Sequence, residues 1–295
     1  MPRYSFFAPH PALAAVVEAI WDHDVPETGV APTVVMPVVS PTLCFHYRIP
    51  PAICFEYRPS PHPDGWRQPG RYRITGSQSR AVRLRPVGPV GGVMVRLRPE
   101  AAARLTGAST RQFHDAAFSI ADVFRSADLS VLDERLAVAV GPTARVAVVQ
   151  AFLIRHLRDG EADSIACQAA RVLRHDPGLS IRRLASLLDL SERHLSRRFH
   201  NEIGVPPKQF ARIARIGKVV AVGRGPSSDW ADVAVSCGFT DQAHMIREFN
   251  TMVGRPPDAF FRVTSLRDLA ARGVSRAESD FYNTFVREVS TFPPC

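Results

Sequence analysis

The sequence predicts an α+β chain. It divides into a mostly β N-terminal domain (1–125), a helical linker (126–163), an all-α tandem helix-turn-helix domain (164–262) and an extension (263–295). Three observations predict this. Residues before about 125 are rich in Pro and Gly and carry short alternating apolar runs. The stretch RVAVVQAFLIRHL is amphipathic at the helical period. Beyond Ser164 the chain is dense in helical patterns with short turns, and one such unit occurs twice.

In the N-terminal part, TLCFHYRI, AICFEYR, RYRITG, AVRLRPV and GGVMVRLRP read as strands separated by turn residues. A helix is expected near Leu13 to Ile20. PEAAARLTG, residues 99–107, reads as a short helix with Pro at its start and Gly at its end. From Arg67 to Arg98 there are eight Arg and no acid, and Arg83, Arg85, Arg96 and Arg98 alternate. One strand face therefore reads as cationic. A solvated face is the simpler reading, and an anionic effector is the alternative. Trp21, Trp66, Phe45, Phe55 and Tyr57 read as core aromatics, with a pocket lining as the alternative.

At 295 residues the chain is long enough for two ordinary domains. A hydrophobic content of 45% with 22% charged residues fits a folded globular protein and excludes a disordered one. No apolar run is long enough for a membrane span, and the N-terminus does not read as a signal peptide. Five scattered cysteines, with no C-x-x-C pair, suit free buried thiols, so a cytoplasmic setting is expected. The net charge is +9, and it is unevenly placed. Residues 164–262 hold 15 Lys and Arg against 9 Asp and Glu, whereas residues 1–163 hold 18 against 15. A basic helical segment points to a polyanion, nucleic acid first.

The duplication is a ladder of matched positions. Ala185, Leu190 and Ser191 fall on Ala234, Phe239 and Thr240, each 49 residues on. Phe199, Gly204, Pro206, Pro207 and Phe210 fall on Phe249, Gly254, Pro256, Pro257 and Phe260, each 50 residues on. Two copies mark a duplicated supersecondary unit, not a solenoid.

Each unit reads as helix, tight turn, capped helix. In the first, IRRLASLLDL places Ile181, Leu184, Ala185 and Leu188 on one face, and Ser191 caps the next helix. In the second, Thr240 or Asp241 is the cap. Gly238 suits a left-handed turn, and Asp189 must take the same conformation less easily. Leu195 with Phe199, and Met245 with Phe249, should face the core. Arg193, Ser196, Arg197 and His200 then face out, as do Gln242, Ala243, Ile246 and Arg247. Arg can read guanine, Gln can read adenine, and Ala or Ile can pack on a thymine methyl. An Arg-bearing helix face is most often merely solvated. Two aligned copies in a basic segment favour two major-groove readers about one DNA turn, ~34 Å, apart.

At these residues the chain resembles the AraC/XylS family of bacterial transcription regulators. The likeness spans residues 168 to 262, and CGFTDQAHMIREFNTMVGRPPDAF is its most specific part. The resemblance implies a bipartite DNA-binding domain whose units are joined by the helix PKQFARIARIGKVVAVG. It implies base reading by Arg193, Ser196, Arg197, Gln242, Ala243, Ile246 and Arg247. It implies phosphate contacts near Ser180 and Trp230, at two helix N-termini, and at Lys208 and Arg212. Asp189, where that family usually has Gly, Gly217 inside the joining helix, and the apolar Ile246 depart from the pattern. PEAAARLTGASTRQFHDAAFSIADVF resembles sensory domains of one branch of the family. The implied partners are double-stranded promoter DNA, RNA polymerase and a small-molecule effector; a homodimer is allowed, and no membrane is involved.

No cofactor or metal is implied. G-x-S-x-G, H-E-x-x-H and G-x-x-x-x-G-K-[ST] are absent, so no enzyme is expected. His10, His23, His46 and His62 stand apart in the sequence and read as structural. A DNA-repair methyltransferase is the enzyme alternative, but no Cys has a P-C-H setting. A DNA-binding repressor without any effector is the second alternative. DFYNTFVREV is amphipathic and reads either as a docked helix or as a disordered tail.

Overall fold

Short β-branched runs become two antiparallel sheets, because each run can bury apolar side chains only across neighbouring strands. The computed structural model describes residues 3–25, 33–54, 65–107, 110–159, 164–223, 229–263 and 285–287. The strands are β1 (Arg3–Phe7), β2 (Val17–Val25), β3 (Thr33–Val35), β4 (Thr42–His46), β5 (Ala52–Cys54), β6 (Tyr72–Thr75), β7 (Val82–Arg85), β8 (Val90–Leu97), β9 (Ala117–Ser119) and β10 (Phe285–Arg287). The larger sheet runs β1-β2-β8-β4-β6-β9, and the smaller runs β10-β3-β7-β5.

One face of the larger sheet carries Ile20, Leu43, Phe45, Ile74, Val93 and Val95. It is covered by α2 (Ser126–Val138) and α3 (Gly141–His156) through Leu132, Leu136, Val149, Phe152 and Leu153. The helical stretch is therefore two helices built into the N-terminal core. They break before Gly141, φ +81, where Pro142 opens the second helix. PEAAARLTG folds as a 3₁₀ turn at Pro99–Ala101, then α1 (Ala103–Thr106), and Gly107 ends it in the left-handed conformation at φ 64.

The other face of the sheet brings together residues far apart in sequence. Trp21, Met94, Cys44 and Arg73 lie directly opposite one another across four strands, and His23, Gly92 and His46 form the next row. His23 and His46 are therefore not isolated: their rings meet edge to face, with centroids 5.8 Å apart. Arg73 lies 2.9 Å from His46 Nε2. Gly92 is needed there, because a Cβ would stand 2.9 Å from His46 Nδ1. Burial, then the Arg73 charge, pushes the His23 pKa down to about 4.

Three further expectations are corrected. Residues 13 to 20 are not a helix. Pro11–Leu13 forms a 3₁₀ turn, and β2 starts at Val17 and pairs with β8 as far as Val25. The arginine run is not one solvated strand face. Arg83 and Arg85 lie in the smaller sheet, with guanidinium carbons 5.7 and 4.4 Å from the Trp66 ring centroid. Arg96 lies in the larger sheet, 5.7 Å from that of Trp21, and both Arg83 and Arg96 are buried. In the extension, residues 285–287 form a strand beside β3, not a helix. Trp21 and Phe45 are core, while Phe55, Tyr57, His62 and Cys295 lie outside the described residues.

Beyond α4 (Ile165–His175) the described elements as far as Val263 are helices: α5 (Ile181–Leu187), α6 (Glu192–Ile203), α7 (Pro207–Val222), α8 (Trp230–Ser236), α9 (Gln242–Val253) and α10 (Pro257–Val263). A single apolar cluster runs through α4, both helix-turn-helix units and α7, and takes in Val34, Met36 and Val39 from the N-terminal part. Cys44, Cys54, Cys167 and Cys237 are free and buried. No described helix is long and apolar enough to cross a membrane.

Candidate nucleic-acid interface

The two helix-turn-helix units repeat each other down to single hydrogen bonds. In the first turn Leu190 N–H donates to Ala185 O, and in the second Phe239 N–H donates to Ala234 O, both at 2.9 Å. Asp189 and Gly238 hold these turns at φ 53 and φ 80, both in the left-handed region. Ser191 Oγ accepts from His194 N (3.2 Å), and Asp241 Oδ1 accepts from His244 N (2.7 Å). Asp241, not Thr240, is the second cap. Gly204 and Gly254 end α6 and α9 at φ 89 and φ 83. Phe199 meets Phe210, and Phe249 meets Phe260, with centroids 5.3 and 5.5 Å apart.

These matched packings settle which face is left over. Leu195, Phe199, Met245 and Phe249 are all fully buried. Arg193 and Arg197 are exposed on α6, with Ser196 half-buried between them. Gln242, Ala243 and Arg247 are exposed on α9. Ile246 is half-buried and packs against the core cluster, so it offers less surface than its neighbours. His200 is half-buried; burial, then Arg111 and His114, pushes its pKa down.

The residues expected near phosphates differ in their engagements. Lys208 is exposed on the first turn of α7. Ser180 caps α5, its Oγ accepting from Arg183 N at 3.2 Å. Arg212 grips Glu248 of α9 with two bonds, at 2.7 and 3.1 Å. The Trp230 indole is buried against Phe261, and its N–H donates to Asp258 Oδ1, so only the backbone at the start of α8 is left for an anion. Asp229 caps that helix, accepting from Ala231 N and Asp232 N.

Sequence reading missed the contacts that tie this region to the N-terminal sheets. Glu100, in the 3₁₀ turn before α1, lies 3.2 Å from Arg174 of α4, and its carbonyl accepts from Cys167 Sγ at 3.0 Å. Gln209 of α7 donates to His114 Nε2 (2.9 Å), whose Nδ1 lies 2.9 Å from Ser77 Oγ. Ala81 N–H donates to Met252 O, in the last turn of α9, at 2.7 Å. Asp115, at φ 51, ties the two N-terminal segments together by accepting from Ser79 N and Oγ. The N-terminal part thus reaches α4, the joining helix α7 and, through Ala81, α9 of the second unit. PEAAARLTGASTRQFHD held Glu100 and His114, but no local pattern could point either at a partner about 70 to 95 residues on.

Residues 184–262 match the family model for a helix-turn-helix domain, and residues 5–119 match that for a domain of unknown function, DUF6597. None of the curated proteins matches the chain. Among solved structures, ToxT from Vibrio cholerae is similar at 7% identity over 82% of this chain and 98% of that one, with a TM-score of 0.46. ToxT bound to an unsaturated fatty acid gives 9%, 82%, 93% and 0.45. A DNA-binding transcriptional dual regulator from Escherichia coli K-12 gives 20% identity over 34% of this chain and 97% of that one, with a TM-score of 0.30.

Proposed function

We propose that this chain, whose residues 184–262 are an AraC-type helix-turn-helix domain, is a sequence-specific transcription regulator that reads two successive major-groove segments from one face of promoter DNA. One observation carries the reading: two capped helices of one core expose Arg193 and Arg197 at the places of Ala243 and Arg247, with Gln242 exposed beside the latter two. Duplication within one chain supplies the two heads that other helix-turn-helix proteins obtain by dimerising.

Base reading falls to Arg193, Ser196 and Arg197 on α6, and to Gln242, Ala243, Ile246 and Arg247 on α9. Arg197 and Arg247 are the principal discriminators, and Ile246 adds apolar contact only at its exposed edge. Phosphates are held by Lys208, by the starts of α5 near Ser180 and α8 near Trp230, and by Arg212 where it can leave Glu248. The chain acts in the cytoplasm, without catalysis, and engages RNA polymerase at its promoters.

The N-terminal domain modulates this binding through a small-molecule effector. Its contacts with the reading domain support that role: Glu100 with Arg174, His114 with Gln209, and Ala81 with Met252. A shift in the sheets would reach α4, the joining helix and the second recognition helix through them.

Selection of random duplex DNA by the purified chain tests the reading. Two enriched blocks about ten base pairs apart are expected. Arg197→Ala and Arg247→Ala should each relax one block, by ~1–3 kcal/mol of discrimination. If both variants keep full specificity while Lys208→Ala abolishes binding, the recognition faces are misassigned.

A further inference from the structure

The loop that leads into the first unit touches the turn of the second directly, backbone against backbone. Gly178 lies in the loop between α4 and α5, where its N–H donates to Asp176 Oδ1 at 3.2 Å. Gly238 is the turn residue of the second unit. A Cβ on Gly178 would stand 2.9 Å from Gly238 Cα, and one on Gly238 would stand 2.4 Å from Gly178 Cα and 2.8 Å from its N. No side chain fits between these two strands of backbone. Such a contact acts as a stop, because close-packed backbone has nothing flexible to give.

The same turn is held from the other side. Arg215 of α7 donates from its Nη1 to Gly238 O at 3.2 Å, and its guanidinium carbon lies 5.0 Å from the Phe239 ring centroid. Arg212, one turn earlier on α7, holds α9 through Glu248. The second unit is thus pressed against the first by one residue and fixed to the joining helix by another.

Two heads on one DNA face must match the helical repeat of the duplex, so their separation is itself a specificity. We propose that Gly178, Gly238 and Arg215 are positioning residues that set the separation and angle of the two recognition helices, and with them the half-site spacing the chain accepts. This rests on the two-headed reading above and adds what fixes its geometry.

The test is selection from duplexes in which the distance between blocks is randomised, using the full chain and two variants. Gly178→Ala adds the obstructing methyl without demanding a positive φ. Arg215→Ala removes the tether without adding bulk. Wild type should select one spacing. Both variants should keep both block sequences but shift or broaden the spacing, with preference for the wild-type spacing down roughly tenfold, about the effect of one misplaced bidentate contact. The wild-type spacing retained sharply by both variants overturns the proposal. So does loss of both blocks in both variants with unchanged melting, since a positioning role leaves each block readable. No enriched block for wild type overturns the DNA-reading function instead.

Discussion

Exchanging the turn residues of the two units should have opposite and unequal effects. Asp189 and Gly238 occupy the same place, at φ 53 and φ 80. A side chain in that conformation costs about 1–2 kcal/mol, towards the low end for Asp. Glycine avoids that cost but loses about 0.5–1 kcal/mol more in chain entropy on folding. Asp189 is exposed, so Asp189→Gly removes no packing. The balance is a gain of roughly 0.5 kcal/mol, or about 1–2 °C in melting temperature. Gly238→Asp carries the conformational cost and also a Cβ only 2.4 Å from Gly178 Cα. Overpacking of that kind costs about 1–3 kcal/mol, and the chain entropy that glycine would have lost offsets about 0.5–1 kcal/mol, so the total is roughly 1–3 kcal/mol. Urea unfolding of both variants at fixed pH measures the difference. Destabilisation by Asp189→Gly, or a cost below about 1 kcal/mol for Gly238→Asp, would refute the reasoning.

Other perturbations separate structural from DNA-facing charges. Asp22 is buried; burial raises its pKa from 3.8 to about 6 against the Arg145 charge, so the folded chain binds its proton more tightly than the unfolded one. That contribution to stability is present at low pH and is lost as pH rises through about 6. The His23 contribution runs the other way, lost as pH falls from about 6.5 to 4, and the two offset. Asp22→Asn should therefore stabilise by about 1–3 kcal/mol at pH 8 and by almost nothing below about pH 3, whereas a constant difference in urea unfolding across pH would contradict it. Lys208→Ala should reduce the slope of log K against log salt by about one and leave melting unchanged. A double-mutant cycle on Arg212 and Glu248 should show about 0.5–1 kcal/mol of coupling in the unfolding free energy; zero coupling would mean that the bidentate pair does not hold α9.

What the sequence disclosed was local. The matched ladder from Ala185 to Phe260 is read at the 3.6-residue period, and the caps, turns and buried rows follow from side chains within one or two turns of each other. The left-handed Asp189 was legible because its twin position holds Gly238. Pairing across strands was not. ALAAVVEAI has helical spacing, yet Val17 to Val25 pairs along β8, some 70 residues on, and that non-local ladder overrides the local preference. His23 and His46 meet only because β8 lies between their strands, and Arg83 and Arg96 are buried because Trp66 and Trp21 lie against them. In the candidate interface, Arg212 reads as a free cation until Glu248 is seen beside it, 36 residues away. The N-terminal contacts at Glu100, His114 and Ala81 have no sequence period at all.

The most direct test of two heads reading one DNA face is the affinity of the full chain for its selected duplex and for the same duplex with five base pairs inserted between the blocks. The insertion turns the second block to the opposite face, about half a helical turn away. Affinity should fall to that of a duplex carrying a single block. Equal affinity for the two duplexes would contradict the account, since it would mean that the units do not engage both blocks together.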